Sequence, residues 1–238
     1  ALGYAATVVE RFNARWAAAH GDGAPPVNAT MRAWYNPNLE TRWFMVPALI
    51  GTLSLLQTLL LTAMSVARER EQGTFDQLLV TPFRPAEIMA GKAIPSVLIG
   101  LVQATLILLV AQLWFQIPFA GSYGVLYAGL LPFLMAAVGV GLMLSAIVST
   151  MQQAMLSAFV VMMPFALLSG LTTPIGDMPP VFQDLTYLNP LRYAIEIAHR
   201  VYLEGAGLIA LWPDLWPMLL IAAATLGGAA VLFRRGVA

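Results

Sequence analysis

An all-α, polytopic helical membrane fold is predicted by three features of this 238-residue chain. It is 59% hydrophobic and only 10% charged, against roughly a quarter charged in soluble domains. Apolar runs of about 20 residues, enough to cross a bilayer as helix, recur near 44–67, 93–117, 125–148, 154–173 and 212–233. Charge is expected only between these five windows, as the cost of burying it in hydrocarbon requires.

Residues 1–43 differ from the rest and read as the C-terminal part of an extracytoplasmic domain, with 44–238 as the transmembrane domain. Tyr4 to His20 suits an amphipathic helix, with Val8, Val9, Phe12 and Trp16 near helical spacing. Gly21 to Pro26 reads as a loop and Met31 to Pro37 as a short strand ending in a turn.

The first span ends in the charged run Arg68-Glu69-Arg70-Glu71-Gln72-Gly73-Thr74-Phe75-Asp76-Gln77. Arg68, Arg70, Arg84 and Lys92 place this connection in the cytoplasm by the positive-inside rule. Gly73 permits a sharp turn out of the span. Thr74 and Gln77 match a capping box for a short helix from Phe75 that stops before Pro82, with Phe75, Leu78 and Leu79 on one apolar face. A second helix begins at Pro85, carries Glu87 in its first turn and continues through Lys92 into the next span. Threading the spans then puts 1–43 and 174–211 outside and Arg234-Arg235 inside. An outside N-terminus without an export signal leads to the expectation of a further span upstream, six in the parent protein.

In the third window Ala137, Gly141, Ser145 and Ser149 recur every four residues, the spacing that lets helices approach closely. Pro95 and Pro164 fall near or within apolar helices. The segment after the fourth window is too apolar for a solvated loop and too broken by proline for a span. Its breaks at Pro174, Met178-Pro179-Pro180 and Asn189-Pro190 predict short re-entrant or interfacial helices over 179–187 and 190–203, forming either an external gate or a static cap. Arg192 with Glu196, and Arg200 with Glu204, stand four apart as helix-surface pairs.

The chemistry is sparse. No cysteine is present, and two histidines, His20 and His199, are too few for a histidine-built metal site. Gly91-Lys92 is followed by Ala93, and Ala86 stands where a phosphate-binding loop needs its first glycine. With no acid, base or nucleophile set in the spans, an intramembrane enzyme is disfavoured. Energy for uphill transport would come from a partner. Gln57, Thr58, Thr62 and Gln103 are the polar candidates for a pathway wall, or else hydrogen-bond between helices. A non-transporting scaffold or sensor that binds a periplasmic partner is the rival reading, and nothing points to nucleic acid.

The run Arg68 to Thr74, continuing through Leu78-Leu79-Val80-Thr81-Pro82 to Gly91-Lys92, resembles the signature of type-2 ATP-binding-cassette transporter permeases. Leu168-Ser169-Gly170, Met178-Pro179-Pro180 and Leu188-Asn189-Pro190-Leu191 are similar to later motifs of that family, in the same order, so the resemblance covers about 43–238. It implies a multi-pass permease subunit of the bacterial inner membrane, paired with a second permease subunit in a homo- or heterodimer. Cytoplasmic ATPase subunits would bind the ATP and Mg, this chain holding no cofactor. It further implies an ATPase-coupling element matching Arg68, Glu69, Arg70, Glu71, Gly73, Thr74, Phe75, Leu78 and Leu79. Residues 1–43 look like the end of the ectodomain that follows the first span in one bacterial branch, which is compatible with a periplasmic adaptor. The chain departs from the family pattern in lacking the first span and the amphipathic helix before it. Uncharged spans favour hydrophobic or amphiphilic cargo.

Overall fold

A computed structural model describes residues 2–21, 27, 40–74 and 85–237. Among them are α1 (Leu2–His20), α2 (Thr41–Glu71), α3 (Pro85–Leu113), α4 (Tyr123–Ile147), α5 (Met151–Leu167), α6 (Pro180–Thr186), α7 (Pro190–Glu204) and α8 (Leu208–Val237). A 3-10 turn occupies Ile175–Asp177, and the described residues contain no strand. The strand expected at Met31–Pro37 and the short helix expected from Phe75 lie outside the described residues.

The chain divides into two compact units, 1–40 and 41–238. In the first, α1 carries Val8, Phe12 and Trp16 one turn apart and exposed, with the Phe12 and Trp16 rings stacked at 6.5 Å and Trp16 on His20 at 3.9 Å. Asn13 Nδ2 donates to the Val27 carbonyl at 2.8 Å.

In the second unit four helices are long and apolar enough to cross a membrane: Thr41–Glu71, Glu87–Leu113, Tyr123–Ile147 and Leu208–Phe233. The fourth window behaves differently from its expected extent of 154–173. Its helix α5 begins earlier, at Met151, and ends at Leu167, an apolar helix of 17 residues, at the short end of the spanning range of about 17–25. The expected exclusion of charge from the windows has one exception, Asp214, which sits near the start of α8 and is paired with Arg200.

Helix α2 is the hub, packing against α3, α4, α5 and α7. Beside buried Ile50, Leu55 and Leu59, one row of its buried side is small and hydroxylic: Gly51, Ser54, Thr58 and Thr62. The partners answer with glycine. A Cβ on Gly100 of α3 would stand 2.6 Å from Thr58 Oγ1, and one on Gly141 of α4 would stand 2.8 Å from Thr62 Cβ and 3.1 Å from the Leu59 carbonyl oxygen. Apolar lipid offers no hydrophobic drive between spans, so such close backbone approach, with its dispersion contacts, is what holds them together. Thr62 donates its hydroxyl to the Thr58 carbonyl at 2.7 Å, which keeps that group satisfied in the interface. The small-residue row of α4 serves this packing within one chain: Ala137, Gly141 and Ser145 are buried, and Ser149 lies exposed beyond the helix end.

The same logic joins α4 to α8, its most extensive partner, where a Cβ on Gly139 would meet Thr225 Cβ at 2.7 Å. The prediction is a contrast between two glycines. Gly141→Val should lower the heat-denaturation midpoint of the detergent-solubilised protein, since overpacking typically costs about 1–3 kcal/mol. Gly227→Ala, on an exposed stretch of α8 with nothing within 4 Å of the new Cβ, should leave the midpoint unchanged or raise it. Equal losses at both positions would refute the packing assignment.

Candidate functional site

Helix α2 runs beyond its apolar stretch through the charged residues to Glu71. It is closed there by backbone bonds from Gln72 N to Arg68 O (3.0 Å), Gly73 N to Arg70 O (3.1 Å) and Thr74 N to Glu69 O (3.0 Å). Gly73 takes the left-handed conformation, φ +70°, that terminates a helix in this way and favours glycine. Thr74 turns its hydroxyl back to the Glu69 carbonyl at 3.3 Å. Phe75, Leu78 and Leu79, expected to continue the coupling element, lie outside the described residues.

Consecutive helical residues point about 100° apart, and here three of them reach three different helices. Glu69 Oε1 meets Lys92 Nζ of α3 at 2.6 Å, and Lys92 also reaches Ser65 Oγ at 3.4 Å. Arg70 Nη1 donates to the carbonyls of Ala146 (3.0 Å) and Val148 (3.3 Å) at the C-terminal end of α4. Glu71 Oε2 accepts the backbone N–H of Met151 at 2.9 Å, the first residue of α5. Each sign suits its target. A helix C-terminus carries partial negative charge and an N-terminus partial positive charge, and the unpaired terminal groups need partners. Arg68 is exposed and lines, with Ser65, Gln72, Lys92 and Ser96, a cavity of about 570 Å³ beside this knot.

The opposite end of the bundle is organised by α7. Asn189 is nearly fully buried and does two things: its Oδ1 accepts from Leu191 N at 3.0 Å, capping α7, and its Nδ2 donates to the Phe165 carbonyl of α5 at 2.7 Å. Pro190 follows as the first helical residue. Pro179 and Pro180 start α6 in the same manner, Pro174 precedes the 3-10 turn, and Met178 is buried with its carbonyl accepting from Gln183 Nε2 at 2.7 Å. The six expected gate residues thus stand at element starts and junctions of one segment.

Further along α7, the His199 ring bonds the Phe44 carbonyl of α2 at 2.7 Å through Nε2, which must carry the proton because a carbonyl only accepts. Burial pushes the His199 pKa below its ordinary value, so the ring is neutral near pH 7. Arg200 reaches Asp214 of α8 at 2.7 Å, and Tyr202 donates to the Ile117 carbonyl at 3.0 Å. Burial pushes the Tyr202 pKa up to about 12, keeping it a donor. Of the expected helix-surface pairs, Arg200–Glu204 forms at 4.0 Å. Arg192 turns away from Glu196; its guanidinium lies over the Tyr187 ring at 4.3 Å and donates to the Thr186 hydroxyl.

The polar candidates separate. Thr58 and Thr62 are fully buried between α2, α3 and α4, whereas Gln57 and Gln103 are half-buried. Reading by sequence missed two features of the site. Thr150 accepts from Gln153 N at 3.2 Å while Gln153 Oε1 accepts from Ser149 N at 3.1 Å, a capping arrangement announced by the Thr150-Met-Gln-Gln153 spacing. Lys92, which marks topology in the sequence, is also the ion-pair partner of Glu69.

A family model described as ABC-2 family transporter protein matches residues 18–231. The chain is 44% identical over 219 residues to the probable multidrug ABC transporter permease YbhR of Escherichia coli (strain K12), covering 91% of this chain and 60% of that protein. It is 32% identical over 231 residues to the inner membrane transport permease YhhJ of the same organism, covering 96% of this chain and 61% of that one. The linearmycin resistance permease protein LnrN of Bacillus subtilis (strain 168) is 27% identical over 154 residues, 65% of this chain and 40% of its own. The chain spans about three fifths of the length of the two Escherichia coli relatives. With the family model covering nearly the whole chain and the membrane helices in place, this protein belongs to the ABC-2 family of transporter permeases.

Proposed function

We propose that this chain lines the transmembrane pathway of an ATP-driven exporter and that its Glu71 end faces the cytoplasm, where a partner ATPase docks. One observation carries the reading: Glu69, Arg70 and Glu71 bind α3, the end of α4 and the start of α5 from three adjacent positions. A displacement applied to the turn beyond Glu71 therefore loads four helices together, which is what a coupling element has to do. The sorting of Arg68, Arg70, Lys92, Arg234 and Arg235 to this end supports its cytoplasmic placement.

In this reading ATP and Mg are held by the partner ATPase, a second permease subunit completes the pathway, and α6 and α7 lie on the extracytoplasmic side. Conformations alternate as the ATPase closes and opens. The names of the relatives, two of them transport permeases and one a resistance permease, support export as the direction.

Sidedness is tested in this cysteine-free chain with single cysteines at the exposed positions Gln72 and Asp184. An impermeant thiol reagent should label Asp184→Cys from outside intact cells and Gln72→Cys only after the membrane is opened. Labelling of both from one side would refute the topology.

Coupling is tested at Gly73, whose φ of +70° leaves room for a side chain but not for an L-residue's preferred backbone. A left-handed conformation costs a branched residue about 1–2 kcal/mol, and about 1.4 kcal/mol is tenfold in an equilibrium. Gly73→Val should cut transport-coupled ATPase activity by about that factor while expression and membrane insertion stay normal. Glu71→Gln, which keeps the shape but removes the charge from the α5 terminus, should give a smaller loss in the same direction. Full coupling in both variants, or failure of any ATPase to co-purify, would favour a scaffold over a transporter.

A further inference from the structure

A cavity of about 520 Å³ opens at the α7 end of the bundle, within the range of about 300–1,000 Å³ typical of small-molecule sites. Its walls are Phe44 from the first turn of α2, Tyr193, Glu196 and His199 from α7, Asp214 from α8, and Ile175 from the 3-10 turn. Phe44 and His199 stand with ring centroids 4.5 Å apart, so one side of the cavity is aromatic.

Two guanidiniums, Arg192 and Arg200, stand among three carboxylates, Glu196, Glu204 and Asp214. Asp214 Oδ2 is held by Arg200 Nη1 at 2.7 Å, and Arg200 is shared with Glu204 at 4.0 Å and with the Ala210 carbonyl at 2.8 Å. Arg192 also borders the cavity; its guanidinium donates to Thr186 and lies over the Tyr187 face, both neutral, and its charge opposes the rise at Glu196. The Glu196 carboxylate, exposed at the cavity wall, makes no hydrogen bond or ion pair among the described residues. Loss of water raises its pKa, with the Asp214 charge adding to the rise and Arg200 opposing it. A cation placed beside it would relieve the like-charge repulsion from Asp214, and the neighbouring rings favour a cation with an apolar, aromatic body.

We propose that this cavity is a binding site for a lipophilic organic cation, with the Glu196 carboxylate facing the charge and Phe44, Tyr193 and His199 packing the body. The assignment names a substrate class and rests on the transport reading only for the cargo role of what binds there.

The test is equilibrium binding of radiolabelled tetraphenylphosphonium to the detergent-solubilised, full-length protein without ATP. Tetraphenylborate, of the same shape and opposite charge, is the control. Saturable binding of the cation is expected, weakened about tenfold or more by Glu196→Gln and unaffected by Asp184→Asn on exposed α6. Equal binding of the two probes, or unchanged cation affinity in Glu196→Gln, would overturn the proposal. Should Glu196→Gln fail to fold, a cysteine at the cavity wall decides. Tetraphenylphosphonium, and not tetraphenylborate, should slow maleimide labelling of Ile175→Cys; equal rates would overturn the site. A protein that couples ATP hydrolysis but does not bind the cation removes this site and leaves the transport reading. Binding by a protein that recruits no ATPase does the reverse.

Discussion

A helix ending at the edge of a bilayer leaves about four N–H and four C=O groups without partners, in a place where water is scarce and unpaired groups are costly. The charged end of α2 meets that constraint for its neighbours. Arg70 serves the carbonyls at the end of α4, and Glu71 serves the first N–H of α5. The short α4–α5 connection, Val148 to Thr150, is held between these two side chains and the Thr150 cap. Charge-assisted bonds of this type are worth about 1.5–3 kcal/mol when sheltered, less for Glu71, which is exposed. Their main effect is geometric. They tie the end of α4 and the start of α5 to one turn of α2, while glycine contacts hold the helices deeper in the bundle.

Those contacts are the second layer of the same arrangement. Gly100 and Gly141 let α3 and α4 approach the hydroxyl face of α2, and Thr62 satisfies its hydroxyl on its own helix. Thr58 Oγ1 and Ser54 Oγ are buried with no hydrogen bond in the bundle. A face made of small residues is tolerant of such hydroxyls because the loss is one donor each, and the gain is backbone approach along several turns. Thr58 and Thr62 therefore act first as packing residues. Gln57, one position away from Thr58 and so about 100° around the helix, is left half-buried.

Local chemistry made part of this legible. Proline fixes φ and suits the first helical turn, and so the start of α3 at Pro85 and of α7 at Pro190 is read directly, and that of α6, expected at 179, falls one residue later at Pro180. Gly73 as the end of α2 was legible for the same kind of reason. The apolar window 154–173 and α5 differ at both ends: the Thr150–Gln153 cap begins the helix at Met151, and beyond Leu167 Ser169 bonds back to Ala166 O at 2.7 Å while Gly170 turns at φ +87°. The window 212–233 starts inside α8, which begins at Leu208, and Arg200 neutralises the Asp214 that the window contains. Partner identities were not legible. Glu71 with Met151, Arg70 with Ala146 and Tyr202 with Ile117 join residues 80, 76 and 85 apart, and only the packed bundle brings them together.

The two ends solve the polar problem in different ways, and the difference bears on how the bundle can move. At the α2 end three adjacent residues on one turn hold three helices, so a displacement of that turn acts on all three bonds together. At the other end the bonds are spread along α7: Asn189 to α5, His199 to α2, Arg200 to α8 and Tyr202 to the turn before α4. In the proposed coupling role, a push on the knot would act on α2 to α5 together. At α7 the same motion would meet contacts that lie on separate turns. The cavity beside Glu196 lies along α7 at the attachments to α2 and α8, so relative motion of these helices would reshape the space open to a bound molecule.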